Sequence, residues 1–385
     1  MGDAADPSRS SGYPFWMRQG FLDMGCTVID AFPLNPERPK WLRFKSIQHR
    51  LKGEYYTDNR SPAALRRMAA AIERAVAGRH VDFVFSLHTA PVSTLDLGVP
   101  IVVVHDQTFR ERLAYFAYEA RPPAQDYVDE ALAQEGLAYR NADLCAFPSQ
   151  RSLDSIAAQY DVSPAKLLLV PWGANLAAEP ARETVHELID ARAFRPLQII
   201  FVGVEWQRKG GPVMMEACRI LRERGVDISL LIIGCEPALP LPHWVTVVPK
   251  LDKRVPEQAA EYDAYLRRAH LLFLPSRVEA YGHVFCEAAA HGVPAVATDV
   301  GGIPTIVQHD VTGLCLPLDS PPTDFADAIG VLVADPARYR RLSRAARDRY
   351  EQKLNWRAFC GTIVEQALRI AGERPEYQAP MVAAE

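Results

Sequence analysis

Residues 271–316 read LLFLPSRVEAYGHVFCEAAAHGVPAVATDVGGIPTIVQHDVTGLCL. The unbroken apolar run 271–274, closed by Pro275, predicts a strand buried on both faces. A loop follows at 276–281. Gly282 then leads into a helix predicted over 283–291, which stops at Gly292, a residue suited to the position just past a helix end. Residues 294–298 predict the next strand. Two glutamates fall inside this unit, Glu279 on the loop and Glu287 about one turn into the helix, with seven residues between them. Ligands of open α/β sheets lie at the carboxyl ends of the strands, where this loop belongs. The amides of Gly282, His283 and Val284 at a helix start suit a phosphate. A carboxylate beside them accepts hydrogen bonds from hydroxyls, so it suits a sugar or a ribose diol.

The stretch resembles the donor-site motif of retaining glycosyltransferases with the GT-B fold, the family numbered four, also described as glycosyl transferases group one. Glu279, Glu287, Ala288, Gly292-Val293-Pro294 and Gly301-Gly302 stand where that motif puts them. The resemblance implies two doubly wound Rossmann-like α/β domains facing across a cleft, with a last helix crossing back to the N-terminal domain. It also implies that Glu279 contacts the sugar or phosphate end of a nucleotide-diphosphate sugar, and that Glu287 holds its ribose hydroxyls.

Upstream, residues 197–202 predict a strand, followed by GVEWQRKGG at 203–211 and a helix at 212–224 with Pro212 at its start. Arg208 and Lys209 therefore sit between a strand and a helix N-terminus, where two cations and amides make a diphosphate site. Such a site takes the negative charge without a metal. The resembling family carries an arginine directly after the first glycine and a lysine five residues on. Here Val204 holds the arginine position, and Arg208 stands beside Lys209 instead. Strands at 229–234 and 245–248 follow, then Pro249-Lys250-Leu251, and a helix at 257–269. The resemblance implies that backbone atoms around Leu251 meet the nucleotide base. Helices are predicted at 324–332, 337–352 and 356–371.

The N-terminal half alternates strands (81–85, 99–104, 144–148, 167–170) with helices (63–77, 126–140 and one after Ser149, its predicted cap), which argues a parallel sheet covered on both faces. Polar clusters follow two strands, Ser86-Leu87-His88-Thr89 and His105-Asp106-Gln107-Thr108. The resemblance implies that a His or Asp after the second of these faces the reacting sugar; both His105 and Asp106 fit, and His88 is a further contact candidate. Near the start, Ser11-Gly12 precedes a helix at 15–24 and a strand at 26–31. Gly12 either closes over donor phosphates, as the resemblance implies, or belongs to a plain N-cap turn. Residues 1–10, MGDAADPSRS, lack an apolar run and cannot supply the buried first strand a doubly wound domain needs. That predicts a native chain beginning upstream with a strand of about 5–6 residues, or a rearranged domain.

Between Lys40 and Lys52, Trp41, Phe44, Ile47 and Leu51 recur at helical spacing among Arg43, Lys45 and Arg50, with no acidic residue. Such a helix either lies on an anionic membrane surface or packs its apolar stripe on its own domain.

With 385 residues the chain has room for two or three domains: 1–176, a linker with a short helix at 177–195, 196–352, and a crossing helix with tail at 353–385. A net charge of −4 gives no global basic field for nucleic acid. Seven cysteines in no CxxC pair argue for reduced thiols in a cytoplasm, against a zinc site or disulfide frame. No apolar run approaches the length of a membrane span, and no signal pattern opens the chain. The whole predicts a retaining glycosyltransferase with a UDP- or GDP-linked sugar as co-substrate, no metal or other cofactor, and a hydroxyl acceptor, saccharide or lipid-linked saccharide. A nucleotide-sugar 2-epimerase and a non-catalytic nucleotide-sugar-binding subunit share parts of this logic.

Overall fold

The computed structural model describes residues 12–31, 40–57, 59–237 and 240–373. Among these residues ten short strands form two all-parallel sheets. The first sheet contains β1 (Val84–Ser86), β2 (Ile101–Val104), β3 (Leu144–Phe147) and β4 (Leu167–Leu169) in that spatial order. The second contains β5 (Leu197–Val202), β6 (Ile228–Ile233), β7 (Val245–Val248), β8 (Leu271–Leu274), β9 (Ala295–Thr298) and β10 (Gly313–Leu316). Its spatial order is β10-β9-β8-β5-β6-β7. Every residue of β2, β3, β8 and β9 is buried, so these apolar runs are covered on both faces, as parallel sheets require.

The chain divides into two compact units, Met1–Val170 with Phe359–Glu385, and Pro171–Ala358. In the first, the helix Pro62–Val76 buries Leu65, Met68, Ala69 and Ile72 in one core with Val103, Cys145 and Phe147. Ser61 caps that helix by accepting from the Ala64 amide. The last helix, Trp356–Gly372, enters this unit from Phe359 onward; Phe359 packs on Phe85, and Cys360 lies 3.5 Å from the Met17 carbonyl. The second unit holds the six-stranded sheet and the helix Arg182–Ala191, which buries Val185 and Ile189.

Three expectations change. Residues 26–31, expected as a strand, pair in no ladder among the described residues; β1 has β2 as its one neighbour among the described strands. β propensity is realised only through cross-strand pairing, and no described strand lies alongside this segment. It runs extended, with Arg18 donating to Asp30 at 2.8 Å and Ala31 against the core. Ser149 occupies the N-cap of Gln150–Gln159 without a capping hydrogen bond from its side chain. The apolar stripe of the helix Lys40–Leu51 does not pack inward: Phe44, Ile47 and Leu51 are exposed. The readings of residues 1–10, of Ser11 and of the tail beyond 373 lie outside the described residues. All seven cysteines are free thiols. Among the described residues no helix is long and apolar enough to cross a membrane.

Candidate functional site

In the second sheet the chain begins at β5, runs outward through β6 and β7, then returns to the other side of β5 with β8. The strand order reverses between β5 and β8, the place at which open α/β sheets bind their ligands. The loop after β5 carries Arg208 and Lys209; the loop after β8 carries Glu279 and Gly282. Each loop runs into a helix N-terminus capped by a left-handed glycine and by no side chain, Gly210 before Gly211–Glu223 and Gly282 before His283–Ala290. First-turn amides lack intrahelical acceptors, which favours an anion at the His283 end; at the other end the Gly211 amide already donates to the Trp206 carbonyl at 2.9 Å and Pro212 has no N–H.

The two loops are tied to each other. The Arg277 amide donates to the Arg208 carbonyl at 2.7 Å, and Arg208 Nη1 donates to the Val278 carbonyl at 2.8 Å. Nε of Arg208 donates to Glu205 at 2.7 Å. Lys209 Nζ donates to Glu279 Oε2, which also accepts from the Ser276 hydroxyl at 3.3 Å. The approach is close enough to dictate sequence. Gly210 has φ +76°, and an added Cβ would meet the Pro275 oxygen at 1.9 Å. At Gly301, φ +51°, a Cβ would meet the Glu279 oxygen at 1.6 Å. Only glycine fits either position.

Glu287 lies one turn into its helix with a side chain 4% exposed. Its two oxygens have separate donors: Lys253 Nζ to Oε1 at 2.6 Å and the Tyr262 hydroxyl to Oε2 at 2.6 Å. Lys253 also lies 4.2 Å from the Tyr262 ring centroid and 3.4 Å from the Asn175 carbonyl. Burial, and then the Glu287 charge, hold the Tyr262 phenol well above its usual range, so it stays a donor. Each carboxylate oxygen keeps a further acceptor direction. His283 Nδ1 lies 3.0 Å from the Gly173 carbonyl; a carbonyl only accepts, which makes Nδ1 the protonated nitrogen. The ring stacks on Trp172 at 5.6 Å and 21°. Val284 follows in the same first turn, and half-buried Leu251 lies in the loop after β7, two residues from Lys253.

In the first unit, His105 and Asp106 follow β2 at its carboxyl end, each about a quarter exposed. His105 Nδ1 faces Asp106 Oδ1 at 2.9 Å and the Gln107 amide at 3.3 Å; the shorter contact, to a carboxylate, makes Nδ1 the donor. Burial pulls the His105 pKa down, but the hydrogen bond and charge of Asp106 outweigh it, and the net shift is upward. His88, with its ring 5.9 Å away, is pushed down to about 4, first by burial and then by His105. Gly12 has φ +83° and is the N-cap of Tyr13–Asp23. Among the described residues no group of three or more His, Cys, Asp or Glu side chains is arranged to hold a metal ion.

The second unit thus brings together Arg208, Lys209, Glu279, Gly282, His283, Val284 and Glu287. Sequence reasoning missed Lys253 and Tyr262. They lie 34 and 25 residues from Glu287, in a loop and on another helix, and no spacing rule connects them.

Residues 196–335 match the family described as glycosyl transferases group 1. A D-inositol 3-phosphate glycosyltransferase of Corynebacterium efficiens is 30% identical over 57% of this chain and 54% of its own length. Its namesake in Pseudarthrobacter chlorophenolicus is 29% identical over 65% and 60%. The chain spans about half the length of the curated relatives it matches. Among solved structures, sucrose-phosphate synthase from Thermosynechococcus elongatus aligns with a TM-score of 0.60 at 20% identity, covering 83% of this chain and 81% of its own. HepE of Anabaena, solved with UDP, aligns at 0.57 and 15%, covering 77% and 81%. These likenesses show the fold, the two Rossmann-like parallel-sheet domains of GT-B glycosyltransferases.

Proposed function

We propose that the chain is a retaining glycosyltransferase, moving a sugar from a UDP- or GDP-linked donor to the hydroxyl of a saccharide or lipid-linked saccharide. One observation carries this reading: at the strand-order reversal, two glutamates, Glu287 buried and Glu279 partly buried, each face a lysine, beside two helix N-termini without side-chain caps. The matched family and the names of the relatives support the same class of chemistry.

Glu287 accepts the ribose hydroxyls, with Lys253 and Tyr262 fixing its carboxylate. The helix start at His283 receives the diphosphate, beside the Arg208 and Lys209 cations. Lys209 stabilises the charge that develops on the leaving diphosphate, and an interaction stronger in the transition state than in the ground state lowers the barrier. Arg208 adds to that cation field and binds its loop to the loop of Glu279, which meets the sugar. Same-face attack, with the leaving phosphate helping to deprotonate the acceptor, retains the anomeric configuration and needs no separate base. His105 and Asp106 contact or position the sugar rather than accept a proton. With cations in place of a metal, the reaction runs without one. The free thiols fit a reducing cytoplasm.

The test is a panel of UDP-, GDP- and ADP-sugars, followed for nucleotide release with and without saccharide acceptors. Acceptor-dependent release is expected. Release of an epimerised nucleotide-sugar without acceptor would identify an epimerase instead, and binding without turnover a non-catalytic subunit.

A further inference from the structure

The helix Lys40–Leu51 is docked by its polar side. Lys45 Nζ lies 2.8 Å from Asp126 and 2.7 Å from Glu130. His49 contacts Glu54 at 2.8 Å and Asp126 at 3.2 Å, and stacks on Tyr56 at 4.8 Å between centroids. The Ser46 hydroxyl lies 3.4 Å from the Tyr56 carbonyl. Burial lowers the Lys45 pKa, but the hydrogen bonds it donates to Asp126 and Glu130 outweigh it, so Lys45 stays a cation in this cluster. The apolar residues take the other side. Phe44, Ile47 and Leu51, spaced three and four residues apart on one helix face, are 67%, 52% and 83% exposed.

A globular helix normally does the reverse, because leaving such side chains in water is unfavourable. The arrangement needs a cover. Arg50 and Lys52 are exposed beside the stripe, and the segment from Lys40 to Lys52 contains no carboxylate. The acids packed against the helix, Glu54, Asp126 and Glu130, are occupied by His49 and Lys45. Among the described residues the outward face therefore combines apolar side chains with positive charge that no ion pair compensates. A second copy packed symmetrically on this face would set like charges against each other. An anionic lipid surface satisfies both features, taking the stripe into the headgroup–acyl boundary and drawing the cations electrostatically.

We propose that this helix docks the protein on anionic membranes, in the plane of the interface, through Phe44, Ile47, Leu51, Arg50 and Lys52. The proposal is independent of the donor site, and its test needs no sugar.

The full chain is co-sedimented with vesicles of phosphatidylcholine alone, or of phosphatidylcholine with phosphatidylglycerol. The expected result is partitioning onto the mixed vesicles only, falling as ionic strength rises. The variant Phe44→Ser/Ile47→Ser/Leu51→Ser should lose it while keeping the wild-type melting temperature, since it removes exposed side chains. Arg50→Gln and Lys52→Gln should each weaken it about fivefold. No binding to mixed vesicles at low salt, or undiminished binding by the folded triple variant, overturns the proposal. So does a dimer in sedimentation that dissociates in that variant, because the stripe is then covered by a second copy.

Discussion

Two carboxylate–cation pairs stand at the carboxyl ends of the two sheets, and they are built differently. Glu287 is nearly buried, and its partners come from a distant loop and another helix. Asp106 is about a quarter exposed, and its partner is the adjacent residue. Removing one member of a buried pair leaves a charge without compensation, whereas a shallow pair is screened by water. The deep pair should therefore show itself in binding and folding, and the shallow one in the titration of its histidine.

The largest expected effect falls on Lys209. Lys209→Ala should lower kcat roughly 10²–10³-fold with a smaller change in donor affinity, if it acts on developing charge. Turnover like that of the wild type would remove Lys209 from the leaving-group role. Arg208→Ala should also lower the melting temperature, because it releases Val278 and Glu205. Next comes Glu287→Ala, with nucleotide affinity falling by about 1.5–3 kcal/mol in calorimetry. A nucleotide lacking the 2′ and 3′ hydroxyls should bind wild type and variant alike; a difference between them would place the ribose elsewhere. Lys253→Met should weaken the same affinity by roughly 1 kcal/mol, a lower-end value because Lys253 is about a third exposed.

The shallow pair gives a pH effect. In histidine NMR, His105 should titrate above its usual 6.5, and Asp106→Asn should bring it down, since the charge of Asp106 then no longer opposes burial. The sign for folding follows from the raised value. The pair's stabilisation is complete below about 6.5 and is lost as pH rises through the folded-state value. A variant titrating like the wild type would mean that Asp106 does not hold the proton. The smallest effect is none: turnover should persist in EDTA, and a strict divalent requirement would contradict a site neutralised by cations.

The same contrast explains what could be read in advance. Strands β8 and β9 announced themselves because residues buried on both faces make apolar runs, and Gly301 through the motif it belongs to, whereas the close approach that requires Gly210 shows only in the structure. Lys253 was invisible, since its reach to Glu287 is a tertiary fact. Residues 26–31 misled, because the β-branched run Thr27, Val28 and Ile29 records a propensity while a ladder needs a neighbour. The helix Lys40–Leu51 was recognisable as amphipathic, but periodicity does not say which face docks. Lys45 and His49 settled that through partners at Glu54, Asp126 and Glu130, two of them far along the chain.

The central claim is that the paired glutamates and lysines hold a nucleotide-diphosphate sugar for transfer. The most direct measurement is NMR of the product formed from an α-linked UDP- or GDP-sugar and a saccharide acceptor, by wild type and by Glu287→Ala. The account predicts an α-linked glycoside from the wild type, in EDTA as well, and a large loss in the variant at limiting donor. A β-linked product, or equal transfer by the variant, would contradict it.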